Sequence, residues 1–200
     1  MTQDRPTATS PKRLPKQVRR EQLLDTAVAL VRARGTDGLT LVTLAEAAKV
    51  SRPIVYDHFG TRAGLLVEVY RRLDERHRTA LAEALEAAEP TVDAIAHVMS
   101  TAYFACATDM PEFAAVSAAL KGNPEAEAIQ HELLDSYTKL MVTALAPYAG
   151  LPPDALQLRC IGILGAAEAI AAELNLDRAT PTDAISALTD LIVGNVTRRR

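Results

Sequence analysis

Residues 39–62 constrain the fold of this chain more than any other segment, because their apolar residues recur at helical spacing on both sides of a short break. On helices of about 3.6 residues per turn, one side of each becomes apolar. The inward-facing residues of the two helices are Leu41, Leu44, Ala45 and Ala48, then Val55 and Phe59. Thr40 and Ser51 stand where side-chain oxygens would cap the two helix starts. The segment therefore predicts a helix, a tight turn and a second helix.

The outer face of the second predicted helix carries residues that have no core to enter. Its exposed residues are Arg52, Pro53, Ile54, Tyr56, Asp57 and His58. A polar, aromatic and basic outer face on such a helix is typical of a helix-turn-helix that contacts DNA. The alternative interpretation is a two-helix hairpin that is buried within a larger bundle and has no outer function.

The charge of the chain is unevenly distributed. Residues 1–62 contain eleven Lys or Arg and six Asp or Glu, whereas residues 63–200 contain eleven and nineteen, although the net charge is only −3. This asymmetry places a positive field on the segment that carries the helix pair, which favours the DNA-binding interpretation. Residues 1–15 combine basic residues with prolines and are predicted to be a disordered basic arm that could enter a minor groove. A leader without a role is the alternative.

The remaining pattern is helical throughout, with breaks at proline and glycine and no strand-like alternation. We expect an all-α protein of about nine helices, with a helix-turn-helix domain at 16–62 and a helical ligand-binding and dimerisation domain at 63–200. The helices outside the 39–62 segment are predicted at 16–34, 61–88, 91–108, 112–120, 125–146, 153–175 and 182–197. Gly35 is expected to end the first of these helices.

The segments RREQLLDTAVALVRARG, LTLVTLAEAAKVSRPIVYDHF and GTRAGLL together resemble the N-terminal domain of the TetR family of bacterial transcriptional regulators. The resemblance covers about 50 residues, and residues 66–200 resemble the family only in helical layout. Three residues depart from the family pattern. Lys49 stands where the turn usually has glycine, Asp57 places a negative charge on the outer arc, and Arg62 replaces the common lysine. A non-glycine residue in a left-handed turn costs about 1 kcal/mol, so either the turn is looser or Lys49 gains a phosphate contact.

The resemblance and the exposed arc together predict how DNA would be contacted. Arg52 is the candidate for base readout, since its guanidinium can bind guanine O6 and N7, while Pro53 and Ile54 can meet thymine methyl groups. The phosphate-binding candidates are Thr40, Thr43, Lys49, Tyr56, His58 and Arg62. Asp57 either repels phosphate or accepts a hydrogen bond from cytosine N4.

The last two predicted helices are apolar over more of their circumference than a surface helix needs. The residues expected to face a partner are Gly162, Gly165, Ala166, Ala169, Leu188, Leu191 and Ile192. In the family, this helix pair forms a four-helix bundle across a homodimer, so the resemblance implies a homodimer that binds an inverted-repeat operator in double-stranded DNA. Burial of both helices inside one protomer is the alternative.

The resemblance also implies a pocket for a small-molecule effector in the body. Its candidate wall residues are Met99, Tyr103, Phe104, Met110, Phe113, Tyr137 and Met141, each of which could equally be ordinary core. His97 is expected to be buried. A small, largely apolar effector would move the fourth helix, change the spacing of the two DNA-binding domains and release DNA.

Other functions have little support in the sequence. Cys106 and Cys160 are isolated and form no metal motif, and we expect reduced thiols in the cytoplasm. We find no phosphate-binding loop, no nucleophile motif, no metal site and no membrane span, and we expect no cofactor. The chain is thus predicted to be a DNA-binding regulator, most simply a repressor, and not an enzyme. The alternative is a helical carrier or enzyme whose N-terminal helices serve only packing.

Overall fold

The computed structural model describes residues 14–122 and 124–197, apart from the side chains of residues 106–109, 125 and 126. This part of the chain contains nine α-helices and no strand, which confirms the predicted all-α class. The helices are α1 (Lys16–Arg34), α2 (Leu41–Ala47), α3 (Arg52–Phe59), α4 (Arg62–Ala87), α5 (Val92–Asp109), α6 (Pro111–Ala119), α7 (Pro124–Leu145), α8 (Pro153–Asn175) and α9 (Pro181–Thr197). A single 3-10 turn at Ala146–Tyr148 follows α7. The predicted arm lies outside the described residues up to position 13.

Local sequence signals set the boundaries of the first three helices, which we call the head. Gly35, at φ 68°, ends α1, and its N–H donates to Val31 O at 2.8 Å. Thr40 caps α2 by accepting from Thr43 N at 3.0 Å, as predicted. Ser51 begins α3 in an extended conformation but its side chain makes no cap hydrogen bond, so that part of the prediction is wrong. Pro53 in the first turn of α3 substitutes for that signal, because its ring fixes a helical φ.

The head closes around one set of buried residues, the head cluster, which includes residues from beyond the head. The head cluster consists of Leu23, Leu24, Ala27, Val28, Leu30, Val31, Leu39, Leu41, Leu44, Ala45, Val55, Phe59, Leu65, Leu66, Val67, Val69, Tyr70, Leu73, Val116, Leu120 and Ile129. Val116 and Leu120 belong to α6 and its C-terminal cap, and Ile129 belongs to α7. The core of the head is therefore completed by helices that lie far along the chain.

A second set, the body cluster, fills the space between α5, α7, α8, α9 and the end of α4. The body cluster consists of Leu81, Ile95, Ala96, Met99, Phe104, Tyr137, Met141, Leu145, Leu156, Cys160, Ile163, Leu164, Ala167, Ala184, Leu188, Ile192 and Val196. α9 packs against α5 and α8, and α8 also packs against α7. The long helix α4 contributes to both clusters and joins them.

Two further expectations from the sequence concern single residues of the body. His97, expected to be buried, is exposed on α5, because the inward stripe of this helix is formed by Ile95, Ala96, Met99 and Ser100. Cys160 is buried, as expected, and burial raises its pKa to about 11, so the thiol stays protonated. The side chain of Cys106 lies outside the described part of the chain.

One helix in the described residues, Pro153–Asn175, is long and apolar enough to cross a membrane by length and composition alone. Core helices of water-soluble proteins pass the same test. In this chain, Leu156, Cys160, Ile163 and Ala167 of the helix are buried in the body cluster, and its opposite side is exposed.

Candidate DNA interface and ligand cavity

The helix α3 has the two faces that its sequence predicts. Val55 and Phe59 are buried in the head cluster and fix the helix against α1, α2 and α4. The opposite face is exposed, with Ile54 at 37% and Tyr56 at 49% of their full surface, beside Arg52 and Pro53. The residues predicted to read bases therefore lie together on a single solvent-facing surface, held by a rigid apolar anchor.

Two weak ion pairs border this surface. Arg52 Nη2 lies 3.7 Å from Glu46 Oε1 of α2, and Lys16 Nζ lies 3.7 Å from Asp57 Oδ2. All four side chains are more than half exposed, so each pair contributes little to stability and its members stay free to bind another group. The sequence left the role of Asp57 open. In the structure its carboxylate lies beside Lys16 at the start of α1.

Several predicted phosphate ligands already make hydrogen bonds within the head. The hydroxyl of Thr43 donates to Gly38 O at 2.8 Å and accepts from Thr40 N at 2.9 Å. The guanidinium of Arg62 donates from Nε to Leu39 O at 3.0 Å and from Nη2 to Thr36 O at 2.7 Å. Arg62 therefore fastens the start of α4 to the loop between α1 and α2. A phosphate could use only its remaining N–H groups.

Lys49 and His58 flank the surface at the turn and at the end of α3. Lys49 has φ 53°, so the turn keeps the left-handed conformation and the alternative of a looser turn is excluded. Its side chain is exposed. His58 is half-buried, and burial lowers its pKa, helped by the nearby charge of Lys16. In the free protein at neutral pH, His58 is therefore mainly uncharged.

A cavity of about 450 Å³ lies in the body between α4, α6, α7 and α8, with Tyr103 of α5. Its lining residues are Tyr70, Asp74, His77, Tyr103, Phe113, Ala114, Ser117, Lys121, Gln130, Leu133, Leu134, Tyr137, Leu164, Glu168 and Ala171. The ring of Tyr70 lies 4.8 Å from that of Phe113, and His77 stacks on Tyr137 at 6.0 Å. The walls are thus mostly aromatic and aliphatic, which suits a small organic ligand.

The structure separates the seven predicted pocket residues. Tyr103, Phe113 and Tyr137 line the 450 Å³ cavity. Met99 and Met141 line only a void of about 10 Å³, and Phe104 is buried in the body cluster, so these three serve as core and the prediction is corrected. Met110 lines a separate cavity of about 300 Å³ beside Arg32 and Glu112.

The sequence prediction missed most of the residues that line this cavity, among them the two ionisable residues Asp74 and His77 of α4. Asp74 and His77 lie within the charged run RRLDERHR of α4, where nothing local distinguishes a buried residue from an exposed one. Only a helical wheel that aligns Asp74 and His77 with Tyr70 and Leu81 would have indicated them.

The predicted dimer residues also divide into two groups. Gly162, Gly165, Ala169 and Leu191 lie on an exposed face of α8 and α9, and Ala166 is half-buried beside them. Leu188 and Ile192 are only 2% and 1% exposed and belong to the body cluster, so their assignment to a dimer face is wrong. They lie on the side of α9 that packs against α5 and α8, and the broad apolar arc of this helix did not distinguish that side from a partner-facing one. Leu158 and Ile161 extend the exposed face.

The fold and the exposed face of α3 define the class of protein: a helix-turn-helix head joined to a helical body that contains a ligand-sized cavity. Residues 23–69 match the model of the family described as bacterial regulatory proteins, tetR family. Among curated proteins, none matches this chain.

Solved structures extend the similarity over the body. The chain resembles the multidrug binding protein EbrR complexed with ethidium, with a TM-score of 0.67, 18% identity and coverage of 92% of this chain and 99% of that chain. It resembles the transcriptional regulator FadR from Bacillus subtilis in complex with stearoyl-CoA, with a TM-score of 0.63, 16% identity and coverage of 88% of this chain and 97% of that chain. It also resembles a TetR-like transcriptional regulator from Rhodococcus sp. RHA1, with a TM-score of 0.60, 23% identity and coverage of 91% of this chain and 98% of that chain. Identities this low establish a shared fold.

The resemblance seen in the sequence is thereby confirmed. Residues 23–69 match the tetR family of bacterial regulatory proteins, and the described part of the chain has the all-α fold of TetR-type transcriptional regulators. Proteins of this family and fold are transcriptional regulators, which are in general not enzymes.

Proposed function

We propose that the protein is a cytoplasmic transcriptional repressor that binds an inverted-repeat operator as a homodimer and leaves it when a small, largely apolar effector binds the body. The observation that carries the proposal is the outer face of α3, where Arg52, Pro53, Ile54 and Tyr56 are exposed while Val55 and Phe59 hold the helix in place. Large exposed side chains on a rigid helix can enter a major groove without refolding.

Within this interface, Arg52 reads a base, and Pro53 and Ile54 contact thymine methyl groups. Tyr56, His58 and Lys49 bind phosphates around them. Thr40, Thr43 and Arg62 contribute mainly by fixing the geometry of the head, because their polar groups already bond to its backbone. The exposed pair of Arg52 with Glu46 is weak enough to be exchanged for a contact with a base.

The exposed face of α8 and α9 supports a homodimer. Leu158, Ile161 and Leu191 are 71%, 45% and 39% exposed. Neighbouring apolar side chains that stay exposed on one face are typical of an interaction surface. A Cβ added to Gly162, Gly165 or Gly194 would meet nothing within 4 Å, so no contact within the protomer requires these glycines. Small residues that nothing requires inside one protomer suit the close approach of helices from a second copy. The two heads of such a dimer would bind the two half-sites of an inverted repeat.

Effector binding can reach the head through α6. Phe113, Ala114, Ser117 and Lys121 line the cavity, while Val116 and Leu120 of the same segment belong to the head cluster. At the start of α6, Glu112 accepts from Arg32 of α1, with Nη2 to Oε1 at 2.5 Å. A ligand that shifts α6 or α4 therefore shifts the head, which is the coupling that release of DNA needs.

The test is selection of bound duplexes from a random DNA pool at about 150 mM salt, where a purely electrostatic binder loses most of its affinity. Recovery of an inverted repeat supports the proposal. Arg52→Ala should then narrow the affinity ratio between the selected operator and random DNA by roughly 10- to 100-fold, as the loss of a bidentate base contact implies. Arg178→Ala, which removes the same charge from the exposed turn between α8 and α9, is the matched control and should leave the ratio unchanged.

Two outcomes would contradict the proposal. Recovery of no sequence above random would favour the alternative of a carrier or enzyme that uses the cavity, and turnover of a bound compound would then establish an enzyme. Light scattering that shows a monomer at micromolar concentration would remove the inverted repeat from the proposal. Expression of a reporter gene downstream of the selected operator, with and without the protein, would decide between repression and activation.

A further inference from the structure

Acidic groups outnumber basic ones among the charged side chains that line the 450 Å³ cavity. Asp74 of α4 and Glu168 of α8 supply two carboxylates, and Lys121 supplies one ammonium group. Glu168 and Lys121 are exposed, whereas Asp74 is only 6% exposed. A ligand that enters the cavity therefore meets the carboxylate of Asp74 at its most deeply buried polar point.

The carboxylate of Asp74 has capacity for a further partner. Within the described part of the chain it receives one hydrogen bond, from Arg78 Nε to Oδ2 at 2.7 Å. Arg78 lies one turn further along α4 and lines a different cleft, beside Arg20 and Glu132, so it approaches Asp74 from outside the cavity. Oδ1 remains able to accept from a group within the cavity.

The present environment does not fully stabilise the charge on Asp74. Burial raises the pKa of Asp74, and this effect outweighs the opposing hydrogen bond and charge of Arg78. His77, which also faces the cavity, is held uncharged because burial lowers its pKa. No other buried cation among the lining residues compensates the carboxylate. A positive charge brought by a ligand would supply the missing compensation.

Aromatic rings line the same cavity as this carboxylate. Tyr70, Phe113, Tyr103 and Tyr137 all line the cavity, and the faces of such rings attract cations as well as flat apolar groups. A buried carboxylate among aromatic rings is a combination that stabilises an organic cation by charge and by ring contact at once. It disfavours an organic anion of the same size, whose charge would lie against Asp74.

We propose that the effector is an aromatic or otherwise bulky organic cation, whose positive group lies against Asp74 and whose apolar part lies among Tyr103, Phe113 and Tyr137. This proposal rests on the proposed function insofar as the cavity is the effector site. It adds the charge of the ligand and the residue that selects it. Glu168 attracts the same cation from the exposed end of the cavity.

The test uses two probes of nearly identical size and shape and opposite charge, tetraphenylphosphonium and tetraphenylborate, titrated into the full-length protein in sodium buffer by calorimetry. We expect the cation to bind at least tenfold more tightly than the anion. Asp74→Asn should abolish this preference, and Glu168→Gln, at an exposed position that does not threaten folding, should reduce it several-fold. Glu83→Gln, on the exposed side of α4, is the matched control and should leave it unchanged.

A tighter anion, equal affinities, or no binding of either probe would overturn the proposal. A preference for the cation that survives both Asp74→Asn and Glu168→Gln would overturn the assignment of these residues. Operator binding measured without any probe reports separately on the proposed function. If the unmodified protein binds its operator but shows no preference for the cation, the ligand class is rejected and the DNA-binding proposal stands.

Discussion

The head and the body complete their cores in different ways. The head closes α1 to α4 around one cluster but relies on Val116 and Leu120 from α6 to finish it. The body fills its own cluster and still leaves Leu158 and Leu191 on an outer face. The head is therefore incomplete without the body of its own chain, whereas the body leaves apolar surface exposed. The proposed ligand-controlled dimer would use both features, the first to couple the body to the head and the second to bind the other protomer.

Helix α6 lies on the boundary between the head and the body. In sequence it belongs to the predicted body domain, yet its buried side chains are part of the head cluster and its opposite side lines the cavity. Packed interfaces respond to small shifts by moving between discrete arrangements rather than by continuous deformation. A helix that serves both regions can therefore transmit ligand binding without a separate connecting element.

The largest effect that tests this division comes from deleting one buried leucine on either side of it. Leu120→Ala and Leu156→Ala each remove a side chain that is 2% exposed, and each should cost about 2–5 kcal/mol of stability. Hydrogen exchange should show faster exchange of α1 and α2 amides in Leu120→Ala, and faster exchange of α8 and α9 amides in Leu156→Ala.

Identical exchange patterns in the two variants would break the comparison, because they would mean that head and body unfold as one unit. Leu134→Ala, on an exposed position of α7, provides the control and should change stability by less than about 0.5 kcal/mol.

A smaller effect concerns the ion pair that joins head and body. The side chain of Glu112 is 1% exposed, so Arg32→Gln leaves a buried carboxylate without its partner. We expect thermal unfolding at pH 7 to show a lower melting temperature for Arg32→Gln than for the unmodified protein. Arg34→Gln, on an exposed position of the same helix, is the control. A melting temperature lowered equally by both variants would show that the buried pair has no special role.

The two histidines whose pKa values are lowered, one in each region, should affect stability in the same direction, but only His58 should also affect DNA binding. Burial lowers the pKa of His58 and of His77 below the value of about 6.5 in the unfolded chain. The unfolded chain then binds more protons below that pH, so stability falls as the pH drops through this window. A DNA phosphate beside His58 would favour its protonated form, so operator affinity should rise over the same range, by at most about tenfold per pH unit for one proton.

The variants His58→Gln and His77→Gln separate these two responses. His58→Gln should abolish the rise in operator affinity between about pH 7.5 and pH 6, whereas His77→Gln should leave it intact. Both should reduce the loss of stability on acidification, as thermal unfolding at each pH would measure. A rise in affinity that persists in His58→Gln would mean that this residue does not contact phosphate.

The sequence predicted the head more completely than the body, for reasons visible in single residues. Helices α1 to α3 are marked by local signals, such as Gly35 at the end of α1 and the inward pair Val55 and Phe59. The partners of Arg62 lie 23 and 26 residues away, so its structural role could not be read from its neighbours. In the cavity, Asp74 looks like any other charged residue of α4, because burial depends on helices that pack from far along the chain.

Leu188 and Ile192 illustrate a different limit. α9 is apolar on most of its circumference, so a wheel cannot tell the side that faces α5 and α8 from the side that would face a second copy. Only the positions of the other helices resolve that choice. The glycines of α8 were more informative, since small residues predicted an open face and the structure leaves them exposed.

The smallest expected effect concerns Lys49, where the head departs from the family pattern and keeps its geometry. A left-handed residue other than glycine costs about 1–2 kcal/mol, and glycine loses about 0.5–1 kcal/mol through the freedom of the unfolded chain. Lys49→Gly should therefore stabilise the protein by roughly 0.5–1 kcal/mol, whereas Ala48→Gly, at the neighbouring right-handed position with φ −80°, should destabilise it by a similar amount. If Lys49 also binds a phosphate, Lys49→Gly should lower operator affinity and reduce the salt dependence by the equivalent of about one contact for each head. A variant that gains stability and loses no affinity would show that Lys49 has no part in DNA binding, and would leave the strain at this turn without a compensating contact.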